Sequence, residues 1–460
     1  MQTWKRLLNR IVYNNDPDLI LSPAKKNMDR YVIQAMLGTA FGVFSAGVFL
    51  TGYLLHLGAP VLLTTYVPIL PNICGVFLIF LSTIVERRET RKKLLLTVNA
   101  TCKVFLISAI FVPLLVDDPF RVPLVFGLTV IGQAVGCLNT IIFNSLFNEL
   151  IPVQVKGRYF AVRQIFCVMV SAILPIAAGY LVDHMNDKYM AFFILFMGAA
   201  LVGGIELLVF GRLDDAHIPP PKEKVSALKV FTLPLKNRAF IMYTLISCLF
   251  HFFLFISSSF SQVYLLSHLE MNFTFINFQA FIMFGLQMLF FYKFWGIVTD
   301  RIGSRFTLVI CMAMYALDML AWVFIDKSTI WVVYTILQLI AAVEGAGFTV
   351  AIYTRRYEII PKEGRSLYDS FYLICLGITL FISPAAGSFL RNLFGKIEFL
   401  NGIEFGAYRA VYFLSTITIL ILQLAHMKYV TKNEEDKKLF GRETFKQVWR
   451  IFKEMLGLRR

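Results

Sequence analysis

Two side chains that can carry a proton lie deep in apolar stretches. His251 follows Arg238 by 13 residues (251 − 238 = 13), and Glu344 precedes Arg355 by 11 (355 − 344 = 11). At about 1.5 Å of rise per helical residue, both stand near the middle of their stretch. A carboxyl in apolar surroundings holds its proton more firmly than one in water, and imidazole titrates near neutrality. Either residue therefore suits a coupling proton, and Glu344 also suits contact with a solute. For His251 the alternative is plain packing among Phe252, Phe253 and Phe255. Lys103 and Asp318 are also charged at such depth. An unpaired charge there is costly, so each is expected to have a polar partner or to reach water, a structural role being the first expectation.

Uncharged polar residues add two stripes. Gln133, Thr140, Asn144 and Asn148 recur at helical offsets of 7, 4 and 4, and Thr244, Ser247, His251, Ser258 and Gln262 share a face in the same way. Polar groups at membrane depth are kept from lipid. These faces are therefore expected to line a cavity, with hydrogen bonding between packed helices as the alternative. No catalytic set accompanies them. The seven cysteines (Cys74, Cys102, Cys137, Cys167, Cys248, Cys311, Cys375) show no ligand spacing. The chain has no Gly-x-x-x-x-Gly-Lys-Ser/Thr phosphate loop, no His-Glu-x-x-His and no Gly-x-Ser-x-Gly. A non-enzymatic protein without metal or cofactor is expected.

The elements that hold these residues follow from composition. Of 460 residues, 58% are hydrophobic and only 16% charged, against about 25% charged in globular domains. The apolar residues come in blocks long enough to cross a bilayer, which takes about 20 residues per helix. Twelve spans are expected near 31–56, 59–84, 94–116, 121–148, 160–183, 190–210, 239–266, 275–299, 305–325, 329–353, 368–390 and 408–429. Gly58-Ala59-Pro60 and Asp117-Asp118-Pro119 supply turns between them. The net charge of +15 does not indicate nucleic acid, because the basic residues sit between apolar spans. No short apolar region with a small-residue cleavage site follows the basic start MQTWKRLLNR, so no removable signal peptide is expected.

The basic residues also give a direction. The N-terminal segment, the even-to-odd loops and the C-terminal tail hold 37 of the 44 Lys and Arg. The opposite side holds Arg121, Lys188, Lys327, Arg391, Lys396 and Arg409. Lys and Arg accumulate on the cytoplasmic side, so both termini are expected there, in a cell-membrane protein. The polar, proline-rich segment 211–238 divides the spans six and six and is expected to be a linker. The expected domains are thus an N-terminal segment (1–30), two six-helix bundles (31–210 and 239–430) on either side of that linker, and a tail (431–460). In the tail Phe445, Val448, Trp449, Phe452 and Leu456 recur at helical spacing beside basic residues. That pattern suits an amphipathic helix on an anionic membrane face, with a solvated tail as the alternative.

The two halves repeat each other. NELIPVQVKGRYFAVR (148–163) and YEIIPKEGRSLY (357–368) both carry Glu, a hydrophobic residue and Ile-Pro, then Gly-Arg (Gly157-Arg158, Gly364-Arg365) and an aromatic. Pro152 and Pro361 are 361 − 152 = 209 apart, and Gly157 and Gly364 are 364 − 157 = 207 apart. Pro175-Ile-Ala-Ala-Gly179 and Pro384-Ala-Ala-Gly387 match at similar offsets, and Lys103 corresponds to Asp318. A near-constant offset with the same direction of crossing marks a parallel repeat.

A third repeated segment follows the second span of each half. In the second half it reads Gly296-Ile-Val-Thr-Asp300-Arg301-Ile-Gly303-Ser-Arg305, and in the first Ser82, Glu86, Arg87, Glu89 and Arg91 hold the corresponding places. Here the chain resembles the major facilitator superfamily, whose signature at this loop is Gly-x-x-x-Asp-Arg-x-Gly-x-Arg/Lys. The resemblance covers about residues 31–430 and implies an all-α integral membrane fold of twelve transmembrane helices in two pseudo-symmetric six-helix bundles. It further implies that Asp300, Arg301, Arg305, Glu86, Arg87, Arg91 and the two Gly-Arg pairs act as a cytoplasmic gate, and that spans one, four, seven and ten line a central cavity. Gly296 is expected to allow close helix approach and Gly303 to supply a positive φ. The Gly-x-x-x-Gly-Pro antiporter signature is absent from the fifth span, where only Pro175 and Gly179 remain.

These features suit a monomeric secondary active transporter that moves a small solute by alternating access, driven by the proton gradient. Import and export both fit, with efflux the first expectation. The alternative is a transporter-fold receptor or scaffold without transport.

Overall fold

A computed structural model describes residues 23–75, 92–150, 156–212, 232–361, 365–397, 399, 403, 406–430 and 440–455. Among them the regular structure is entirely helical, and eleven helices are long and apolar enough to cross a membrane. The first six spans are α1 (Asn27–His56), the shorter apolar α2 (Val61–Ile73), α3 (Lys92–Leu115), α4 (Arg121–Leu150), α5 (Lys156–His184) and α6 (Lys188–Gly211). The next six are α7 (Arg238–His268), α8 (Phe273–Ile302), α9 (Ser304–Val323), α10 (Ile330–Ile359), α11 (Arg365–Phe394) and α12 (Gly406–Val430). A final helix, α13, runs Arg442–Met455. The expected second span, 59–84, is described only as far as Gly75, so the helix count agrees with twelve spans.

Helix ends follow local chemistry. Asp187 and Asn237 cap α6 and α7, their side chains accepting from the backbone N–H of Met190 and Phe240. Gly58 has φ +78° at the first expected turn, and the Asp118–Pro119 bond in the second is cis. Between α9 and α10 the Asp326 carboxylate accepts from Ser328 and Thr329, which lowers its pKa to about 2.

Two spans read as continuous are interrupted. Helix α1 breaks at Ala46, which is extended, and resumes at Gly47 with φ +58°. Helix α7 turns at Ser259-Phe260 and continues through a wide π turn, Tyr264–His268. A second π turn, Gln287–Phe291, lies inside α8. Such turns re-aim side chains within a helix.

Packing separates the chain into two compact units. The first comprises Met1–Val225 with Asn272–Asn277, and the second Ser226–Met271 with Phe278–Arg460. In the first unit Phe49, Tyr53, Phe192 and Phe196 form a fully buried aromatic core with Ile110 and Val125. In the second unit the close approaches are made at glycines. A Cβ on Gly387 would stand 2.1 Å from the Ile256 carbonyl oxygen, and one on Gly347 would stand 2.4 Å from Cys311 Sγ. Gly296 is expected to serve this purpose, but among the described residues a Cβ there would meet nothing within 4 Å, and the tight contacts are those of α11 on α7 and α10 on α9.

Candidate functional site

Glu344 lies on the part of α10 that packs most closely on α9, beside Ala342, Ala346 and Gly347. It is 1% exposed, and its Oε2 has no hydrogen-bond partner. Asp318, Tyr315 and Cys311 of α9 are within its electrostatic reach. Asp318 is also buried, with Trp322, Tyr334 and Tyr412 as neighbours. Trp322 stacks on Tyr412 with ring centroids 5.3 Å apart. Among the described residues no basic side chain forms an ion pair with either carboxyl group. The π turn of α8 presses Gln287 onto this stretch of α10. Its Nε2 donates to the Ala341 carbonyl, and it would stand 2.8 Å from a Cβ on Gly345. The sequence marked Glu344 and Asp318 separately; the fold brings them together.

The α7 stripe is divided among environments. Ser247 shares a 2.8 Å hydrogen bond with Tyr372 of α11, and Thr244 is buried with its hydroxyl unpartnered. His251 Nδ1 lies 2.8 Å from the Ser247 carbonyl, and Phe250, Phe255 and Phe348 surround the ring. Ser258 ends the first helical run with its hydroxyl unpartnered, and Gln262 lies beyond the Ser259-Phe260 turn. On α4, Gln133 is half-buried. The side chains of Thr140, Asn144 and Asn148 lie outside the described residues.

At the α8–α9 turn Gly303 has φ +123°, as expected for this loop. Asp300 is exposed at the end of α8. Ser304 Oγ donates to Glu358 Oε2 at 2.8 Å, and Arg355 Nη1 reaches the same oxygen at 3.0 Å. Arg305 is half-buried on the first turn of α9. Between α10 and α11, Arg356 pairs with Asp369 at 3.1 Å, its guanidinium 4.5 Å from the Tyr372 ring centre. Neither Glu358 nor the Arg356–Asp369 pair was singled out from the sequence. In the sequence Glu358 stands only as the first residue of the Glu-Ile-Ile-Pro repeat. Glu86, Arg87, Arg91 and Gly364, and the side chains at Gly157, Arg158 and Arg365, lie outside the described residues.

Helix α13 docks on the same turn. Arg301 pairs with Glu454 at 3.3 Å, while Phe452 packs edge-on against Phe290 and Phe294. Phe445 packs on Phe306 of α9, and Ile451 is buried. Trp449 faces outward with Lys453 over its ring. The ion pair is mostly exposed, and such pairs contribute about 0–1 kcal/mol, so the phenyl ring carries the docking. Phe452→Ala is expected to raise amide exchange across 442–455 about tenfold or more, whereas Glu454→Gln leaves it nearly unchanged. Hydrogen-exchange mass spectrometry of the detergent-solubilised protein measures both.

The first unit contains a charged group overlooked in the sequence, Glu206 of α6. Lys103 Nζ lies 2.7 Å from Glu206 Oε2, with the two side chains 6% and 3% exposed. Glu206 Oε1 accepts from Gln34 of α1 at 2.8 Å and from Asn99 of α3 at 3.2 Å. Lys103 thus has the polar partner its depth required. Asp318, its counterpart in the repeat, has a second carboxyl nearby instead of a base. An acidic residue in the apolar run Leu-Val-Gly-Gly-Ile-Glu206-Leu-Leu-Val was the available signal.

Comparison with known proteins gives a consistent picture. The sequence model of the Major Facilitator Superfamily matches residues 104–353 and 255–459. The structure is similar to a mutant form of the nucleoside transporter NupG (TM-score 0.65, 16% identity), over 87% of this chain and 98% of that one. It is also similar to a D-xylose-proton symporter (TM-score 0.63, 14% identity), over 86% of this chain and 97% of that one. A bacterial homologue of the iron transporter ferroportin in an inward-facing state has a TM-score of 0.63 at 13% identity, over 89% and 98% of the two chains. The sequence has no match among curated proteins.

Proposed function

Because the chain belongs to the Major Facilitator Superfamily, we propose that it is a secondary active transporter that moves a small solute by alternating access, with the Glu344–Asp318 carboxyl pair carrying the coupling proton. The observation behind the proton is the unpartnered, fully buried Glu344 Oε2 beside a second buried carboxyl, with no base paired to either among the described residues. Two carboxyl groups in one apolar site do not both ionise readily, and a full charge at membrane depth is costly. The pair can therefore hold a proton while it is buried and release it in a conformation that opens it to water. A proton that binds one conformation better shifts the equilibrium between them, and by linkage the solute that favours the other conformation moves with it. The nucleoside transporter and the D-xylose-proton symporter support a small polar solute. The bias of basic residues supports a cell-membrane protein with both termini cytoplasmic. The protein acts as a monomer, with 211–238 linking its halves. The α8–α9 turn and the Gly-Arg segments serve as its gate.

Reconstitution into proteoliposomes enclosing a pH-sensitive dye tests this. A panel of nucleosides and pentoses is added with and without an imposed pH gradient. Solute-dependent proton movement, together with solute accumulation driven by the gradient, is expected. Solute movement indifferent to the gradient would remove the proton coupling. No movement of any panel member in either direction would favour a receptor or scaffold role.

A further inference from the structure

The first unit contains an open cavity of about 430 Å³ that proton coupling at Glu344 leaves unused. Its polar wall consists of Gln34, Asn99, Lys103, Asn139, Arg163 and Glu206, contributed by five helices. The size falls within the range of about 300–1,000 Å³ typical of small-molecule sites.

The donors and acceptors of this wall can be assigned one by one. An ionised carboxylate only accepts, so the Gln34 amide must turn its nitrogen toward Glu206, and the 2.8 Å contact shows that it does. The Gln34 carbonyl oxygen is thereby directed elsewhere. It is buried and has no donor, and Asn139 Oδ1 is likewise buried without one. Gln34 itself is only 6% exposed. Lys103 has three N–H donors; one goes to Glu206, and the ammonium stands 5.4 Å from the centre of the Phe41 ring. Two acceptors without donors therefore share a wall with a donor that has capacity to spare, while the Lys103–Glu206 pair is neutral overall.

A carboxylate only accepts and could not donate to Gln34 Oε1 or Asn139 Oδ1, and an ammonium ligand would be repelled by Lys103 and Arg163. A hydroxyl both donates and accepts without charge. We propose that this cavity is a binding site for a neutral polyhydroxylated solute, whose hydroxyl groups donate to Gln34 Oε1 and Asn139 Oδ1 and accept from Lys103. The glycine at position 38 belongs to the same design. A Cβ there would stand 3.3 Å from Glu206 Oε1 and 3.5 Å from Gln34 Nε2, crowding the wall.

The test is thermal unfolding of the purified full-length protein in detergent, titrated with four probes of similar size. D-xylose and myo-inositol are neutral, gluconate is anionic and glucosamine is cationic. At least one neutral probe is expected to raise Tm with saturation, and the charged probes to bind at least about tenfold more weakly. Asn139→Leu removes an acceptor that no described protein group uses. It should leave the ligand-free Tm close to wild type and weaken the neutral probe about tenfold, the scale of one lost hydrogen bond. Asn139→Ala replaces it if the Leu variant does not fold. Non-saturating shifts equal in wild type and variant reflect solute exclusion from the protein surface and would overturn the site, as would the absence of any shift, which would leave a water-filled cavity. A charged probe binding as tightly as the neutral ones would overturn the solute class. Binding is read here without transport, so a protein that binds a probe but does not move it would count against the transporter reading alone.

Discussion

Replacing Lys103 by Met is expected to destabilise the protein by about 3–5 kcal/mol, the usual result of leaving one partner of a buried ion pair uncompensated. Met keeps the length and the apolar stem of Lys103, so little packing is lost and the effect isolates the charge. Glu206 would retain two amide donors, Gln34 and Asn99, but no counter-charge. A lower unfolding midpoint and reduced yield of folded protein should follow. The double variant Lys103→Met/Glu206→Gln is expected to recover most of the loss. Its amide oxygen can still accept from Gln34 and Asn99, and no charge remains buried. A single variant as stable as wild type would mean that water reaches Glu206 and that the pair contributes little.

Neutralising Glu344 has the larger functional consequence. Glu344→Gln preserves size and one carbonyl acceptor while removing the exchangeable proton. Solute-driven proton movement in proteoliposomes is expected to fall by at least about tenfold, equivalent to about 1.4 kcal/mol or more, while exchange of solute across the membrane at equal concentrations persists. The separation of the two readouts is what distinguishes a coupling role from misfolding, since a collapsed protein would lose both. Asp318→Asn should weaken coupling less if it tunes the Glu344 proton, and equally if the two act as one group. Full coupling in Glu344→Gln would place the proton elsewhere, with His251 the next residue to test.

What could be read from the sequence depended on whether the signal was local. Apolar run length alone located the helices, and α9, expected at 305–325, is observed at Ser304–Val323. The turn glycines were legible too, because a positive φ at Gly303 is a property of a few residues. The break in α1 at Ala46-Gly47 had no such signature, because a lone glycine in an apolar span is ordinary in membrane helices. The partners of charged residues were not legible at all. Lys103 and Glu206 are separated by 103 residues, and Arg301 meets Glu454 across 153. Glu206 stands only five residues before Gly211-Arg212, close to the end of its apolar run, so its sequence position does not mark it as buried. Gly296 shows the reverse case: its motif suggests helix approach, whereas the close approaches among the described residues include Gly347 and Gly387, whose environments depend on distant Cys311, Trp295 and Ile256.

The docking of α13 changes what the end of this chain is good for. A terminal segment is the usual place to attach an affinity tag, a fluorescent reporter or a crystallisation partner, and the usual piece to trim. Here the last turns of α13 hold Arg301 through Glu454 and cover Phe290 and Phe294 through Phe452. A fusion made after α12 would strip that cover, leave two phenylalanines facing water or detergent, and free a basic side chain in the signature loop. A form of the protein that lacks α13 should therefore be treated as a variant rather than as a cleaner form of the wild type.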